Sequence, residues 1–348
     1  MDSKLKFFLP EEARRLMKHW LDSVLVEFYF RFRHQAVEEH LQSVRRVPGT
    51  LHIEGTNVCN AKCVFCAYPK MKRLKQTMPM KDFRRIVNEY IAMGGQHISL
   101  TPIVGDTLVD GYFLERLDDL AQRPEIKKVS FYTNAILMSS EISRRLMLFG
   151  ERLIVYVSWG GFDRQTYRNI MGVDAFHKVC ENVDAFVKIK RRTKSSVRLV
   201  IAVRGPSSNC VGNVWDRLRM FESENLLSFT GIEDYDSWAG EISAEDLLAQ
   251  GLKPRRMPRK RGACELLVNQ PVVLADGRVN GCACRDVEAE LIIGDLQESS
   301  LAEICKGKTI AQLLERQEQG DYPDVCKRCT YYVSVYNRRK SILHKNKI

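Results

Sequence analysis

No apolar run in this 348-residue chain reaches the roughly 18 residues that a membrane-spanning helix needs. The N-terminus carries no secretory signal pattern, so its eleven cysteines are not expected to form an extracellular disulfide scaffold. They fit free thiols in a reducing compartment, and a cytoplasmic location is the expectation. No self-similarity recurs at periods of roughly 20–50 residues, which excludes solenoids and propellers, and no segment is of low complexity. Acidic side chains are outnumbered, 43 against 54 Lys and Arg, for a net charge of +11. That surplus suits an acidic substrate, an acidic electron donor, a nucleic acid or a membrane surface, and equally a solvated basic surface. At 45% apolar, the chain can bury one large domain or a large one and a small one.

What the chain does have is a dense cysteine cluster, Thr56-Asn57-Val58-Cys59-Asn60-Ala61-Lys62-Cys63-Val64-Phe65-Cys66. It follows an expected strand, Leu51 to Glu54, and spaces three thiols as C-x₃-C-x₂-C. Thiolates are the ligands of iron–sulfur clusters, and short loop spacings let one segment wrap several corners. Three protein ligands on four irons leave one iron open for a reactive group. A zinc knuckle would want a fourth Cys or His nearby, and none follows before His97.

A second set follows downstream. Cys264 and Cys282 flank a hairpin turned at Asp276-Gly277, with strands over Pro271–Leu274 and Arg278–Asn280, and Cys326-Lys327-Arg328-Cys329 comes later. Four thiols split as C-x₁₇-C and C-x₂-C satisfy either a zinc ion or a 4Fe–4S cluster, and spacing alone does not choose. Cys284 and Cys305 are spare, and Cys180 and Cys210 read as ordinary small apolar residues.

Between about 50 and 240, strands alternate with helices. Strands are expected at Leu51–Glu54, His97–Thr101, Lys128–Thr133, Leu153–Ser158, Val197–Val203 and Leu227–Ile232. Helical patterns fill the gaps over Met80–Met93, Phe113–Gln122, Ser140–Phe149, Phe176–Arg191 and Val211–Glu224. The alternation argues for an α/β fold, a parallel sheet with helices outside. Residues 1–48 read as helix, opened by Pro10-Glu11-Glu12, with Leu16, Trp20, Val24, Phe28 and Phe32 at steps of four among Arg14, Arg15, Lys18, Arg31, Arg33 and His34. Such a helix is expected to pack on the domain or on a partner subunit, with peripheral membrane contact as the alternative. Residues 241–262 form a basic linker ending in Lys253-Pro254-Arg255-Arg256-Met257-Pro258-Arg259-Lys260-Arg261, where two prolines oppose a helix. Without interleaved aromatics, it does not read as a nucleic-acid surface.

The C-x₃-C-x₂-C run, with Phe65 just before its third cysteine, resembles the radical S-adenosylmethionine (SAM) enzymes. In that family the open iron chelates SAM, and reduction cleaves SAM to methionine and a 5′-deoxyadenosyl radical. The resemblance implies a partial (β/α)₆ TIM-like barrel with its chemistry at the C-terminal strand ends. It also implies SAM contacts at those ends. Gly105 and Asp106 stand where relatives hold the SAM ammonium with Gly-Gly-Glu-Pro. Asn134, in Tyr132-Thr133-Asn134, matches a position near the ribose. Ser158 and Arg168 would reach the methionine carboxylate, although Gly160 stands where relatives usually have Asp. The strings Asn280-Gly281-Cys282, Ile293-Gly294-Asp295-Leu296 and Ser300-Leu301-Ala302-Glu303-Ile304 resemble the family's C-terminal SPASM domain. No cysteine follows Cys329, as in the shortened "twitch" form with one auxiliary cluster.

The resemblance therefore implies two 4Fe–4S clusters and SAM as cofactors. Cys59, Cys63 and Cys66 would hold one cluster and Cys264, Cys282, Cys326 and Cys329 the other. The domains expected are a helical extension (1–48), the radical SAM core (49–240), the basic linker (241–262), the auxiliary-cluster domain (263–335) and a basic tail (336–348). The extension is too short for the winged peptide-recognition module of many relatives. The reaction expected is dehydrogenation of a small polar substrate (a sugar, cyclitol or acidic metabolite), with the auxiliary cluster as electron acceptor and a flavodoxin or ferredoxin as reductant. Peptide maturation, redox-neutral epimerisation with Cys284 or Cys210 as hydrogen donor, and a non-enzymatic scaffold are the rivals.

Overall fold

Strands that alternate with helices must pair in parallel, because each helix carries the chain back across the sheet. The computed structural model of the chain, which describes residues 11–32, 34, 35, 39, 47–232 and 234–337, has this arrangement. Six parallel strands run in order: β1 (Leu51–Ile53), β2 (His97–Ser99), β3 (Lys128–Thr133), β4 (Leu153–Trp159), β5 (Arg198–Val203) and β6 (Ser228–Gly231). The helices between them are α2 (Met80–Ala92), α3 (Phe113–Ala121), α4 (Ser140–Leu146), α5 (Arg164–Met171), α6 (Phe176–Thr193) and α7 (Asn213–Ser223), after an N-terminal α1 (Glu11–Phe32). Helix α5 is the one the sequence pattern did not announce. Each helix buries one stripe; in α2 it is Met80, Phe83, Ile86, Val87 and Tyr90.

The C-terminal part does not form a sheet of its own. Its strands β7 (Val272–Val273), β8 (Arg278–Asn280) and β9 (Ile292–Asp295) extend the barrel sheet, because β7 pairs in parallel with β1, His52 against Val272 and Ile53 against Val273. Around them lie α8 (Ala244–Ala249), α9 (Glu265–Asn269), α10 (Leu301–Lys306), α11 (Lys308–Glu318) and α12 (Asp324–Arg328).

A buried ion pair crosses the same seam. Glu54, fully buried at the end of β1, takes two hydrogen bonds from Arg73 at 2.8 and 2.9 Å, and Arg73 Nε donates to the Val287 carbonyl at 2.7 Å. Removing one partner leaves the other charge buried alone, so Glu54→Ala is expected to cost about 3–5 kcal/mol. A shift of the urea midpoint would measure it.

The N-terminal helix packs on the domain, and it does so by the face opposite its apolar stripe. Val26 and Asp22 are buried, Phe30 meets Tyr336 edge-on at 5.1 Å, and Leu16, Trp20, Val24, Phe28 and Phe32 face outward. The basic linker is equally engaged. Arg259 and Arg261 pair with Glu27 of α1 at 2.9 and 3.0 Å, and Arg255 lies over the Tyr331 ring. Most of the basic tail expected at 336–348 lies outside the described residues.

Candidate active site

The loop after β1 carries Cys59, Cys63 and Cys66, and it is tied to the segment before α2 and to the end of α5. The Asn57 side chain donates to the Leu74 carbonyl and accepts from the Gln76 amide, both at 2.8 Å. Lys62 and Val64 donate their amides to the Met171 and Ile170 carbonyls at the end of α5. Glycine fits two close approaches. Gly105, at φ 135°, sits where a Cβ would meet the Thr56 carbonyl oxygen at 3.1 Å. A Cβ on Gly160 would lie 2.5 Å from Met171, whose sulfur is 3.9 Å from that of Cys63. An aspartate at 160 has no room, which gives the departure from the family pattern a packing cause.

The three thiols share one electrostatic environment. Burial and the nearby Asp106 carboxylate push Cys59 up to about 12. Burial, then Cys66 and Cys59, hold Cys63 well above the usual thiol range. Burial raises Cys66 too, against the pull of Arg285 and Arg204. A cation bound here would have to displace these protons.

Asp106 is buried beneath this loop. Its oxygens accept from the amides of Leu108 (3.0 Å) and Asn134 (2.6 Å) and from the Thr133 hydroxyl (3.0 and 3.1 Å). Asn134 in turn reaches Asn60 at 2.6 Å and lies 4.0 Å from the Cys59 sulfur. Burial raises the Asp106 carboxyl, and these donors oppose the rise. The carboxylate thus locks the β2 and β3 loops to the cysteine loop.

Ser158 at the end of β4 accepts from Arg204, just beyond β5, at 3.4 Å. The Arg204 guanidinium lies 5.1 Å over Phe65 and 5.8 Å from Tyr132, and its Nε is buried without a hydrogen-bond partner among the described residues. Arg168, by contrast, is exposed on α5, where its charge falls on Asp174. The structure brings together Phe65, Gly105, Asp106, Asn134 and Ser158 beside the thiols and sets Arg168 apart. Arg204 was missed, although a cation directly after a strand of such a sheet is itself a signal.

The second cysteine set lines a cavity with about 400 Å³ of empty space, part of it open to solvent. Five thiols face it, those of Cys264, Cys282, Cys284, Cys326 and Cys329, together with Arg285. Gln317, wholly buried, accepts from the Cys264 amide at 2.8 Å and reaches the Cys326 sulfur at 3.4 Å. Asp286 accepts from Asn280, Glu290 and Leu291 and so closes the loop that carries Cys282 and Cys284. Burial pushes Cys264 up to about 12 and Cys284 up to about 11. Among the described residues, no three Cys, His or carboxylate groups converge as they would around one ion. An all-sulfur set spread around a cavity fits a polynuclear cluster better than a single zinc.

Between the two sets stands Arg285. Its Nε donates to Asp236 at 2.5 Å, and its guanidinium lies 4.4 Å from the Trp238 ring centre and 4.2 Å from that of Tyr331. Burial opposes both charges, and their pairing overcomes it, so Asp236 is held below the carboxylate range and Arg285 above its own. Trp238 has φ 48°, uncommon for a bulky residue, and its indole donates to the Phe65 carbonyl at 2.7 Å. The charge of Arg285 is felt at Cys66 and at Cys329 alike.

Two family models match this chain: the radical SAM superfamily over residues 53–205 and the SPASM iron–sulfur cluster-binding domain over 264–330. The chain carries a radical SAM domain followed by a SPASM domain. Those two domains carry SAM and 4Fe–4S clusters as cofactors. Among curated relatives of this radical SAM protein, the GTP 3',8-cyclase of Mannheimia succiniciproducens is 25% identical over 230 residues, covering 62% of this chain and 65% of that protein. The enzyme of the same name from Psychromonas ingrahamii is 29% identical over 141 residues, 40% of each. The chain thus spans between 40 and 65% of the length of these relatives. Among solved structures, it resembles Streptococcus suis SuiB bound to precursor peptide SuiA (TM-score 0.57, 15% identity, 86% of this chain and 74% of that one). It also resembles anSMEcpe with bound AdoMet (TM-score 0.52, 18% identity, 78% and 81%). At such identities the likeness is one of fold, a radical SAM partial barrel with a C-terminal auxiliary domain.

Proposed function

We propose that this chain is a radical SAM oxidoreductase that dehydrogenates a small acidic or polar substrate held between its two cysteine sets. Arg285 is the supporting observation. It lines the auxiliary cavity and stacks on Trp238, whose indole bonds to the Phe65 carbonyl in the first cysteine loop, which supports a substrate position bordered by both sets. We assign Cys59, Cys63 and Cys66 to the SAM-binding cluster and Cys264, Cys282, Cys326 and Cys329 to the auxiliary one, in a core over 49–240 and an auxiliary region over 263–335. When bound, these groups supply one-electron cleavage of SAM at one end and a one-electron acceptor at the other.

The chain's own residues do the orienting. Phe65, Gly105 and Asn134 border the SAM site, with Asp106 fixing Asn134 from below. Arg204, paired with Ser158, takes the methionine carboxylate in place of Arg168. A hydrogen bond to a charged group contributes about 1.5–3 kcal/mol. Arg204→Ala should therefore weaken SAM binding roughly ten- to hundredfold, and Arg168→Ala should not. Equilibrium dialysis with labelled SAM measures both.

Arg285 and Arg255 both stack on Tyr331, which favours a substrate carrying carboxylate or phosphate. The relatives named GTP 3',8-cyclase act, by that name, on a phosphorylated compound, which agrees in charge. A flavodoxin or ferredoxin, acidic against this chain's net +11, would deliver the electron. The mass of the product formed in deuterated buffer tests the reaction. A loss of two hydrogens supports dehydrogenation, whereas an unchanged redox state with one deuterium gained overturns it. Epimerisation is the second reading, favoured by Cys284 as a fifth thiol in the auxiliary cavity.

A further inference from the structure

Helix α1 presents an apolar face that is exposed among the described residues. Leu16, Trp20, Val24, Phe28 and Phe32 all lie on it, Trp20 at 64% and Phe32 at 69% exposure. At 1.5 Å per residue the stripe is about 24 Å long. The opposite face is fixed to the body through Val26, Phe30 and the bond from the His19 ring to the Met257 carbonyl, so the stripe cannot simply roll inward. Among the described residues, no helix is long and apolar enough to cross a membrane.

Charge decides what could lie on this face. Between Leu16 and Phe32 the carboxylates are Asp22, which is buried, and Glu27. Glu27 alone faces three guanidinium groups, Arg31 at 3.1 Å, Arg259 at 2.9 Å and Arg261 at 3.0 Å. Lys18 is exposed on the same helix. The rim of the stripe is therefore cationic. A second copy packed stripe to stripe would bring two cationic rims together, whereas an anionic lipid surface offers opposite charge and an apolar layer beneath it. Tryptophan and phenylalanine also favour the headgroup boundary.

We propose that α1 seats this protein on an anionic phospholipid bilayer, with the Leu16 to Phe32 stripe entering the interface and the Lys18, Arg31 and Arg259 rim meeting the headgroups. The seat does not depend on which reaction the enzyme performs. The test is flotation of the full-length, cluster-loaded protein with two kinds of vesicle, phosphatidylcholine alone and phosphatidylcholine with about a quarter phosphatidylglycerol. Binding is expected on the anionic vesicles, at least roughly tenfold weaker on the neutral ones and similarly weakened by about 0.5 M salt. Trp20→Ser/Phe28→Ser should lower binding to both kinds of vesicle about tenfold or more, with iron content and basal SAM cleavage unchanged. Lys18→Glu should lower it on the anionic vesicles only. The proposal fails if the protein floats with neither vesicle, or if the serine variant floats as well as the parent. It also fails if the lipid-free protein is a dimer in sedimentation that the serine variant dissociates, because the stripe would then be covered by a second copy.

Discussion

Replacing Cys59, Cys63 and Cys66 by alanine is expected to leave about four irons per chain, where the intact protein holds about eight after anaerobic reconstitution, and to abolish SAM cleavage. The auxiliary thiols should keep their cluster, because the groups that shape their cavity are not those that shape the first site. Gln317 and Asp286 organise the second set, whereas Asn57, Asp106 and the end of α5 hold the first. Loss of the first cluster could reach the second through the pairing of β1 with β7, through Arg73 between Glu54 and Val287, or through the Trp238 bond to Phe65. Iron and sulfide assays on the triple variant separate these cases. Loss of all the iron would mean that the two sites fold as one unit. Native protein holding one zinc and four irons would overturn the auxiliary cluster and leave the SAM cluster standing.

Much of the barrel was legible because parallel strands buried on both faces are nearly continuous apolar runs, a form that β4 and β5 have, while β3 alternates. The joining of β7 to β1 was not legible. Two strands of two or three residues carry no periodicity that would name their neighbour, and the contact is made by backbone and by Glu54 with Arg73. The stripe of α1 was legible as apolar, but the face by which the helix packs on the domain was not. Spacing gives a stripe but no direction, and the face that docks does so with a buried aspartate, one valine and an edge-on aromatic pair.

The cysteines of the candidate site stood out because thiols at close spacing have few other uses. The two arginines did not. Arg285 sits in Cys282-Ala283-Cys284-Arg285-Asp286 with no spacing that sets it apart from the other cations, and Arg204 directly follows the apolar run of β5. Both act through partners far away in sequence: Asp236, Trp238 and Tyr331 for one, Ser158 and Phe65 for the other. Long-range pairing of that kind leaves no local pattern to find.

A Cys326→Ala/Cys329→Ala variant is expected to cleave SAM and to abstract hydrogen from the true substrate, yet to stall before the oxidised product appears. With four thiols assigned to it, the auxiliary cluster leaves no iron for the substrate, so its use is to take an electron. Removing two of its ligands, one on α12 and one just past its end, touches neither the β1 loop nor Arg204. Deoxyadenosine should therefore still form, at a rate within about an order of magnitude of the parent, while oxidised product falls by at least a hundredfold, a barrier change of roughly 2.7 kcal/mol. Cys284 supplies the contrast. It shares the cavity, its thiol is raised to about 11 by burial, and it is therefore protonated at neutral pH with a hydrogen to give. If the reaction is an epimerisation, Cys284→Ala should abolish the incorporation of solvent deuterium while leaving both clusters intact. If it is a dehydrogenation, Cys284→Ala should leave product formation nearly unchanged. Assaying both variants for deoxyadenosine, product mass and deuterium content distinguishes the two reactions, since each predicts full loss in one variant and near-normal turnover in the other only for its own chemistry.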